Sequence, residues 1–257
     1  LPEPRPGEVL VKVAAVSLNY RDKLMIESGM GLPVQFPFVP ASDMAGRIVA
    51  TGAGVSRFAE GDRVIAHFIP EWIDGASIST QRAYHATLGG VFPGVLAEYL
   101  ALPEDWLVHA PASLDDDEAS TLPIAALTAW YALVELGGLK PGQTVLVQGT
   151  GGVALFGLQI ARALGAEVFV LSGSDDKLRR ALQLGAHHGI KRGEDWVEAV
   201  HGLTGGRGVD HVLEIAGGSH LGRSLEAAAG SGRISVIGTL EGFEVSGSVI
   251  PLLLKLV

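Results

Sequence analysis

The segment Gly149-Thr150-Gly151-Gly152-Val153-Ala154 constrains this chain more than any other. It reads G-x-G-x-x-A and sits between an apolar run, Thr144 to Gln148, and a helix-period run over 152–164. In a strand–loop–helix context each position has a physical task. Gly149 permits the tight turn out of the strand. Gly151 lets backbone approach a diphosphate, and Ala154 keeps the helix close to the sheet. The free N–H groups of the helix start, at Gly152 and Val153, then face the phosphates. The starting expectation is a dinucleotide-binding βαβ unit.

Downstream the pattern alternates. The helix over 152–164 is read with Val153, Phe156, Gly157, Ile160 and Leu164 on its apolar stripe, and Gly165 ends it. Val168 to Leu171 is the next strand. Ser174 caps a further helix that carries Asp175 and Asp176 in its first turn and Gly185 at its end. More strands are expected at 188–191, 211–215 and 234–237. Alternating apolar strands and helices imply a parallel sheet with right-handed crossovers. Five strands are read where a full doubly wound domain has six. The apolar run 249–257 opens a helix without a stop, and residue 1 is Leu, so the sequence reads as incomplete at both ends.

The first part reads differently. Val9, Val11 and Val13 alternate with Leu10, Lys12 and Ala14, the period of a half-buried strand. Met44 to Ala50, Asp62 to His67 and Leu96 to Leu102 are further strands, separated by Pro and Gly. Phe68 to Pro93 reads as a long loop whose Phe68, Trp72, Tyr84 and Phe92 serve local packing. Ser113 is read as the cap of a helix with Asp115, Asp116, Asp117 and Glu118 in its first turn, where acids suit the positive end of the dipole. A second helix, Ala125 to Leu136, is stopped by Gly137-Gly138. The chain thus divides into a β-rich domain, 1–118, and an α/β domain, 119–257.

Composition closes off other classes. Hydrophobic residues make up 47% and charged residues 18%, enough apolar material to exclude a disordered chain. Cysteine is absent, which removes Cys-ligated zinc, iron–sulfur clusters and thiolate catalysis. Net charge is −9 without a basic block, so nucleic acid is not an expected partner. No apolar run reaches the roughly 20 residues of a membrane span, and no signal peptide is visible. G-x-S-x-G, G-x-x-x-x-G-K-[ST] and H-E-x-x-H motifs are all missing.

The end of the strand after the glycine loop selects the cofactor, because a carboxylate there accepts a ribose 2′-hydroxyl and repels a 2′-phosphate. That place falls at Ser172-Gly173, which is neutral. Lys177 and Arg192 follow within reach and suit a phosphate. Asp175 and Asp176 argue the other way, but their place at a helix start gives them another purpose. NADPH is the expected cofactor.

The string Leu18-Asn19-Tyr20-Arg21-Asp22 adds a resemblance, with Gly46 to Gly61-Asp62-Arg63-Val64, Pro123 to Leu133, Lys140-Pro141-Gly142, Gly149 to Gly165-Ala166 and Leu184-Gly185-Ala186. With these the chain resembles the medium-chain dehydrogenase/reductase superfamily and, within it, the zinc-independent NADPH:quinone oxidoreductases. The resemblance implies a GroES-like domain over 1–118, its first strand missing. It implies a Rossmann NADP-binding domain over 119–257, its last strand and C-terminal return segment missing. The zinc alcohol dehydrogenases place a zinc-binding Cys where this chain has Asn19, and His-Glu where it has Ser42-Asp43. Their lobe of four zinc-binding Cys is replaced by the loop at 68–93. The implied reaction is hydride transfer from NADPH to a quinone or an activated alkene or carbonyl, without zinc.

By the same resemblance Asn19 lies beside nicotinamide and substrate, in a cleft between the domains, and donates to the developing oxyanion. Tyr20 and Ser42 are secondary donors, and Asp22 supports the turn. Thr128 sits near the cofactor, Gly152 and Val153 hold the diphosphate, and Ser172, Gly173 and Lys177 meet the 2′-phosphate. Arg192 occupies a place where relatives often have Tyr. Gly238, Thr239 and Leu240 run past the nicotinamide carboxamide. A cytoplasmic homodimer with a small-molecule electron acceptor is expected, without nucleic acid or membrane. Three other readings stay open: a zinc-type alcohol dehydrogenase with unusual ligands such as Asp43 and His67, an enoyl-reductase module of a larger synthase, and a non-catalytic NADPH-binding protein.

Overall fold

The computed structural model describes residues 1–32, 36–72, 86–193 and 195–257. They form two compact units, Leu1–Ile124 and Ala125–Val257.

The first unit is built on an antiparallel sheet of order β4-β1-β2-β3-β5, comprising β1 (Glu8–Ser17), β2 (Asp43–Thr51), β3 (Arg63–Ala66), β4 (Tyr99–Pro103) and β5 (Leu107–His109). The alternation in β1 places Val9 and Val11 in a core with Met44, Ile48, Val64 and Leu107. The strand expected from Leu96 begins only at Tyr99. Residues 94–96 bond instead to the segment before β2, through Gly94 N–H to Val39 O (2.7 Å), Val95 N–H to Ala41 O (3.0 Å) and Leu96 N–H to Pro40 O (3.1 Å).

Helix α1 (Tyr20–Ser28) joins β1 to the segment leading into β2, and Gly29 stops it in the left-handed region at φ 64°. The expected helix near 113 is α2 (Asp116–Ser120), and its cap is Asp115 rather than Ser113. Asp115 Oδ1 accepts the Glu118 N–H (2.8 Å) while Glu118 Oε2 accepts the Asp115 N–H (3.1 Å). This reciprocal box outcompetes a lone serine two residues earlier. The expected boundary at 118/119 cuts this helix, which packs on β1 and β2, so the first unit runs on to Ile124. Of the loop at 68–93, residues 73–85 lie outside the described residues, Tyr84 among them. Phe68 packs under the Arg21 guanidinium (5.1 Å), and Phe92 packs against Trp106 (4.7 Å between ring centres).

The second unit opens with α3 (Leu127–Trp130), which continues as a wider π turn over Tyr131–Glu135. Gly138, at φ 60°, ends this run with its N–H on Val134 O. There follow β6 (Thr144–Gln148), α4 (Gly152–Ala163), β7 (Glu167–Ser172), α5 (Asp175–Gln183), β8 (His188–Lys191), α6 (Trp196–Leu203), β9 (Val209–Glu214), α7 (His220–Ala227), β10 (Ala228–Val236) and α8 (Ile250–Lys255). The strands form a parallel sheet of order β10-β9-β6-β7-β8. All of β6 is buried. Its Val145 and Val147 pack with α4 and α5, while Leu146 packs with Phe169 and with Trp196 and Val200 of α6. Two covered faces explain the unbroken apolar run.

Helix α4 turns a different stripe inward from the one expected. Ala154, Gly157, Leu158 and Ala161 are buried, whereas Val153, Phe156, Ile160 and Leu164 are only partly covered. Small residues win the sheet-facing positions because the helix sits too close for larger ones. Among the described residues no helix is long and apolar enough to cross a membrane.

Candidate functional site

The glycine loop lies at the C-terminal end of β6. Gly149 has φ 81°, a conformation that strains any L side chain, and its N–H bonds Leu171 O at the end of β7 (2.7 Å). Gly151 is the N-cap of α4 and brings no capping side chain. The first helical bond runs from Leu155 N–H to Gly151 O (2.9 Å), so the N–H groups of Gly152, Val153 and Ala154 have no intrahelical acceptor. A Cβ added at Gly149 or Gly151 would meet nothing within 4 Å. Among the described residues nothing crowds position 151, and the open space beside bare N–H groups suits a diphosphate. The close helix–sheet approach assigned to Ala154 is shared with Gly157, where a Cβ would stand 2.4 Å from Leu213 Cδ1. The run before β6 meets this helix start through Ala125, whose Cβ is 3.2 Å from a Cβ added at Gly152. Thr128 follows one turn later and is half-buried.

The strand end that faces the adenosine ribose in such a fold is neutral. Ser172 is buried, and its Oγ accepts the Ser174 N–H (3.3 Å). Ser174 in turn caps α5 through the Lys177 N–H (3.4 Å). Asp175 is paired with Lys191 Nζ (2.6 Å), and Asp176 with Arg179. Lys177 is exposed and has no ion-pair partner among the described residues. The Arg192 N–H bonds Ser172 O (3.0 Å), and its side chain lies over Gly173, 3.6 Å (Nη2) and 3.7 Å (Nε) from the place of a Cβ there. Ser172, Gly173 and Arg192 are thus brought together.

The segment Gly238-Thr239-Leu240 is held backbone to backbone. Gly238 N–H reaches Glu214 O (3.2 Å), and a Cβ at Gly238 would stand 2.2 Å from Ile215 O. Gly217, at φ 69°, leaves no room for a side chain because Thr239 Cα is 2.8 Å from where its Cβ would be. Sequence reasoning missed the group beneath. Glu214 is fully buried and accepts four hydrogen bonds: from Ala216 N–H (2.9 Å), Gly217 N–H (2.9 Å), Gln148 Nε2 (2.7 Å) and Ser224 Oγ. It ties the end of β6, just before Gly149, to the turn that supports residues 238–240. The one available signal was a polar Gln148 closing an otherwise apolar strand.

In the first unit, Asn19 is the N-cap of α1, and its N–H donates to Asp22 Oδ2 (2.7 Å). Asn19 Nδ2 and Asp22 Oδ1 are both buried without a hydrogen-bond partner. The Asn19 amide approaches Asp43 closely enough to lower that carboxyl, yet outside hydrogen-bond geometry. Asp43 is fully buried, which pushes its carboxyl up to about 6; Ser42, Asn19 and the Ile124 N–H act against the rise. Asp43 Oδ1 accepts Ser42 Oγ (2.8 Å), and Oδ2 accepts Ile124 N–H (3.0 Å). Burial also raises the Asp22 carboxyl and lowers Arg21, whose guanidinium bonds Thr87 Oγ1 and the carbonyls of Leu88 and Gly89. Asn19, Asp22, Ser42 and Asp43 therefore share one polar cluster, with the Ser42 hydroxyl turned onto Asp43. Tyr20 stands apart on the exposed side of α1, with Lys23 Nζ 5.7 Å from its ring centre.

Family profiles match both units: the alcohol dehydrogenase GroES-like domain over residues 5–112 and the zinc-binding dehydrogenase domain over 152–255. A zinc-type alcohol dehydrogenase-like protein of Schizosaccharomyces pombe is 46% identical over 91% of this chain and 68% of its own length. A crystal structure described as a putative alcohol dehydrogenase from Sinorhizobium meliloti shares 63% identity and superimposes with a TM-score of 0.95, over 99% of this chain and 75% of that one. The Escherichia coli quinone oxidoreductase complexed with NADPH shares 27% identity at a TM-score of 0.81, over 99% and 72%. The chain belongs to the medium-chain dehydrogenase/reductase superfamily of oxidoreductases.

Zinc is named in the description of the second of these profiles, and the donors among the described residues of this cluster do not fit it. Both Asp43 oxygens are engaged by Ser42 and Ile124, Asn19 offers an amide, and the chain has no Cys. Among the described residues no three His, Asp or Glu side chains converge on a common point.

Proposed function

We propose that this chain is an NADPH-dependent reductase that delivers hydride to a quinone or an activated alkene or carbonyl without zinc. The observation that carries the reading is Asn19 Nδ2, a buried amide donor that makes no hydrogen bond among the described residues, in a cluster where no three His, Asp or Glu side chains of the described residues converge. NADPH, when bound, supplies the hydride; the chain supplies position and electrostatics. Asn19 donates to the oxyanion that develops on the acceptor, and Asp22 holds the Asn19 backbone in place. The balancing proton comes from water. Gly152 and Val153 offer their free N–H groups to the diphosphate.

Preference for NADPH is supported by the charges around Ser172. The two carboxylates that would oppose a 2′-phosphate are already paired, whereas Lys177 has no ion-pair partner among the described residues, and Arg192 lies over Gly173. The likeness to a quinone oxidoreductase solved with NADPH points the same way. The test follows oxidation of NADPH and NADH with ortho- and para-quinones and simple enones as acceptors, with and without a chelator. NADPH-selective turnover that survives the chelator is expected. Loss of activity on chelation, restored by zinc, would return the chain to the metal-dependent dehydrogenases. Tight NADPH binding without turnover of any acceptor would make it a binding protein.

A further inference from the structure

The preference for NADPH rests on free cations at the ribose corner, and one of them is only partly free. Arg192 Nη1 lies 3.6 Å from Glu241 Oε1, while Nη2 and Nε lie over Gly173. Glu241 belongs to the segment that follows Leu240. Its backbone is fixed: the Glu241 N–H bonds Ala216 O (2.8 Å), and its carbonyl oxygen is 2.9 Å from the place of a Cβ at Gly218. Its second carboxylate oxygen meets His220 Nε2 at 3.2 Å. That histidine is held in turn, its ring nearly parallel to Trp196 (6.3 Å between centres, 7°). Glu241 is therefore anchored from two directions, and Arg192 is the partner with freedom to move.

We propose that Glu241 sets the cofactor preference by competing with the 2′-phosphate for Arg192. This rests on the reading of the chain as NADPH-dependent. A phosphate arriving above Gly173 draws the guanidinium toward itself. Glu241 stays behind, so the ion pair must be given up. NADH carries only a neutral 2′-hydroxyl there and leaves the pair intact. Glu241 thus acts as a brake on NADPH binding alone, and Arg192 is the switch point. The pair is half-exposed, with side-chain exposures of 54% and 39%, which keeps the effect small. Exposed pairs of this kind correspond to about a two- to fivefold change in affinity.

The test measures binding of NADPH, NADH and adenosine 2′-monophosphate to the unaltered chain, to Glu241→Gln, to Arg192→Ala and to the double variant. Glu241→Gln should bind NADPH and adenosine 2′-monophosphate about two- to fivefold tighter, with NADH affinity unchanged. The gain should vanish when Arg192 is also removed. NADH titration of the same sample shows that the cofactor site is folded. Unchanged or weaker NADPH binding in Glu241→Gln, an equal shift for NADH, or a gain that persists without Arg192 would overturn the inference. Failure of the parent reading looks different. In that case the unaltered chain shows no preference for NADPH, yet Glu241→Gln still gains affinity for the 2′-phosphate through Arg192.

Discussion

Replacing Asp43 by asparagine tests whether the polar floor beneath Asn19 carries a buried charge. Asp43 is fully buried, and that burial lifts its carboxyl from an ordinary 3.8 to about 6. Such a rise corresponds to about 3 kcal/mol between the charged and neutral forms. The folded chain then binds a proton more readily than the unfolded chain. The resulting stability is fully present below pH 3.8 and is lost as pH rises to about 6. Between about pH 4.5 and 7.5 the loss attributable to this group is about 2 kcal/mol. The amide introduced by Asp43→Asn stays neutral and keeps both contacts, its oxygen accepting from Ile124 N–H and its nitrogen donating to Ser42 Oγ. Urea unfolding of both proteins across that range is the assay. The unaltered chain should fall relative to Asp43→Asn by about 2 kcal/mol, with the variant the more stable at the alkaline end. Parallel curves would refute the argument, because they require Asp43 to titrate alike in the folded and unfolded chains.

Other substitutions probe the remaining parts. Lys177→Ala should weaken NADPH binding about five- to tenfold, the scale of one charge-assisted contact, and leave NADH binding unchanged in fluorescence titrations. Asn19→Ser keeps a residue suited to capping α1 but loses the Nδ2 donor; kcat should fall on the order of 10²-fold while the melting temperature moves little. Gly238→Ala would push a methyl group to 2.2 Å from Ile215 O. It should cost about 1–3 kcal/mol in urea unfolding and weaken binding of either cofactor. A Gly238→Ala protein of normal stability would show that the 238–240 segment is not fixed as described.

Much of this architecture is legible locally. Period-2 valines announce β1, and the glycine loop needs only its flanking strand and helix to be recognised. What stayed hidden depends on partners far along the chain. The start of β4 is set by bonds from residues 94–96 to 39–41, a competition that no pattern within 96–102 reveals. The inward stripe of α4 follows from how closely Leu213 approaches Gly157, and periodicity alone favoured the larger residues beside it. Helix α1 lacks a clear apolar stripe, and its evidence is the exchange between Asn19 and Asp22. At the candidate site the neutral Ser172 and the helix-start position of the acids after it were readable. The pairing of those acids with Lys191 and Arg179, and the tether from Arg192 to Glu241, required three dimensions.

The four bonds accepted by Glu214 bear on how such domains are recombined. Its carboxylate spans two neighbouring strands, with Gln148 contributed by β6, 66 residues earlier, and Ser224 by α7. A chimera that imports β6 together with the glycine loop from a relative can replace Gln148 without its counterparts. One that imports only the later strands brings Glu214 and Ser224 but meets whatever residue the recipient carries at 148. Either leaves a buried polar group unmet, at about 1–3 kcal/mol each. Gln148, Glu214 and Ser224 therefore form one bonded set, and workable crossover points are those that keep all three on the same parental side.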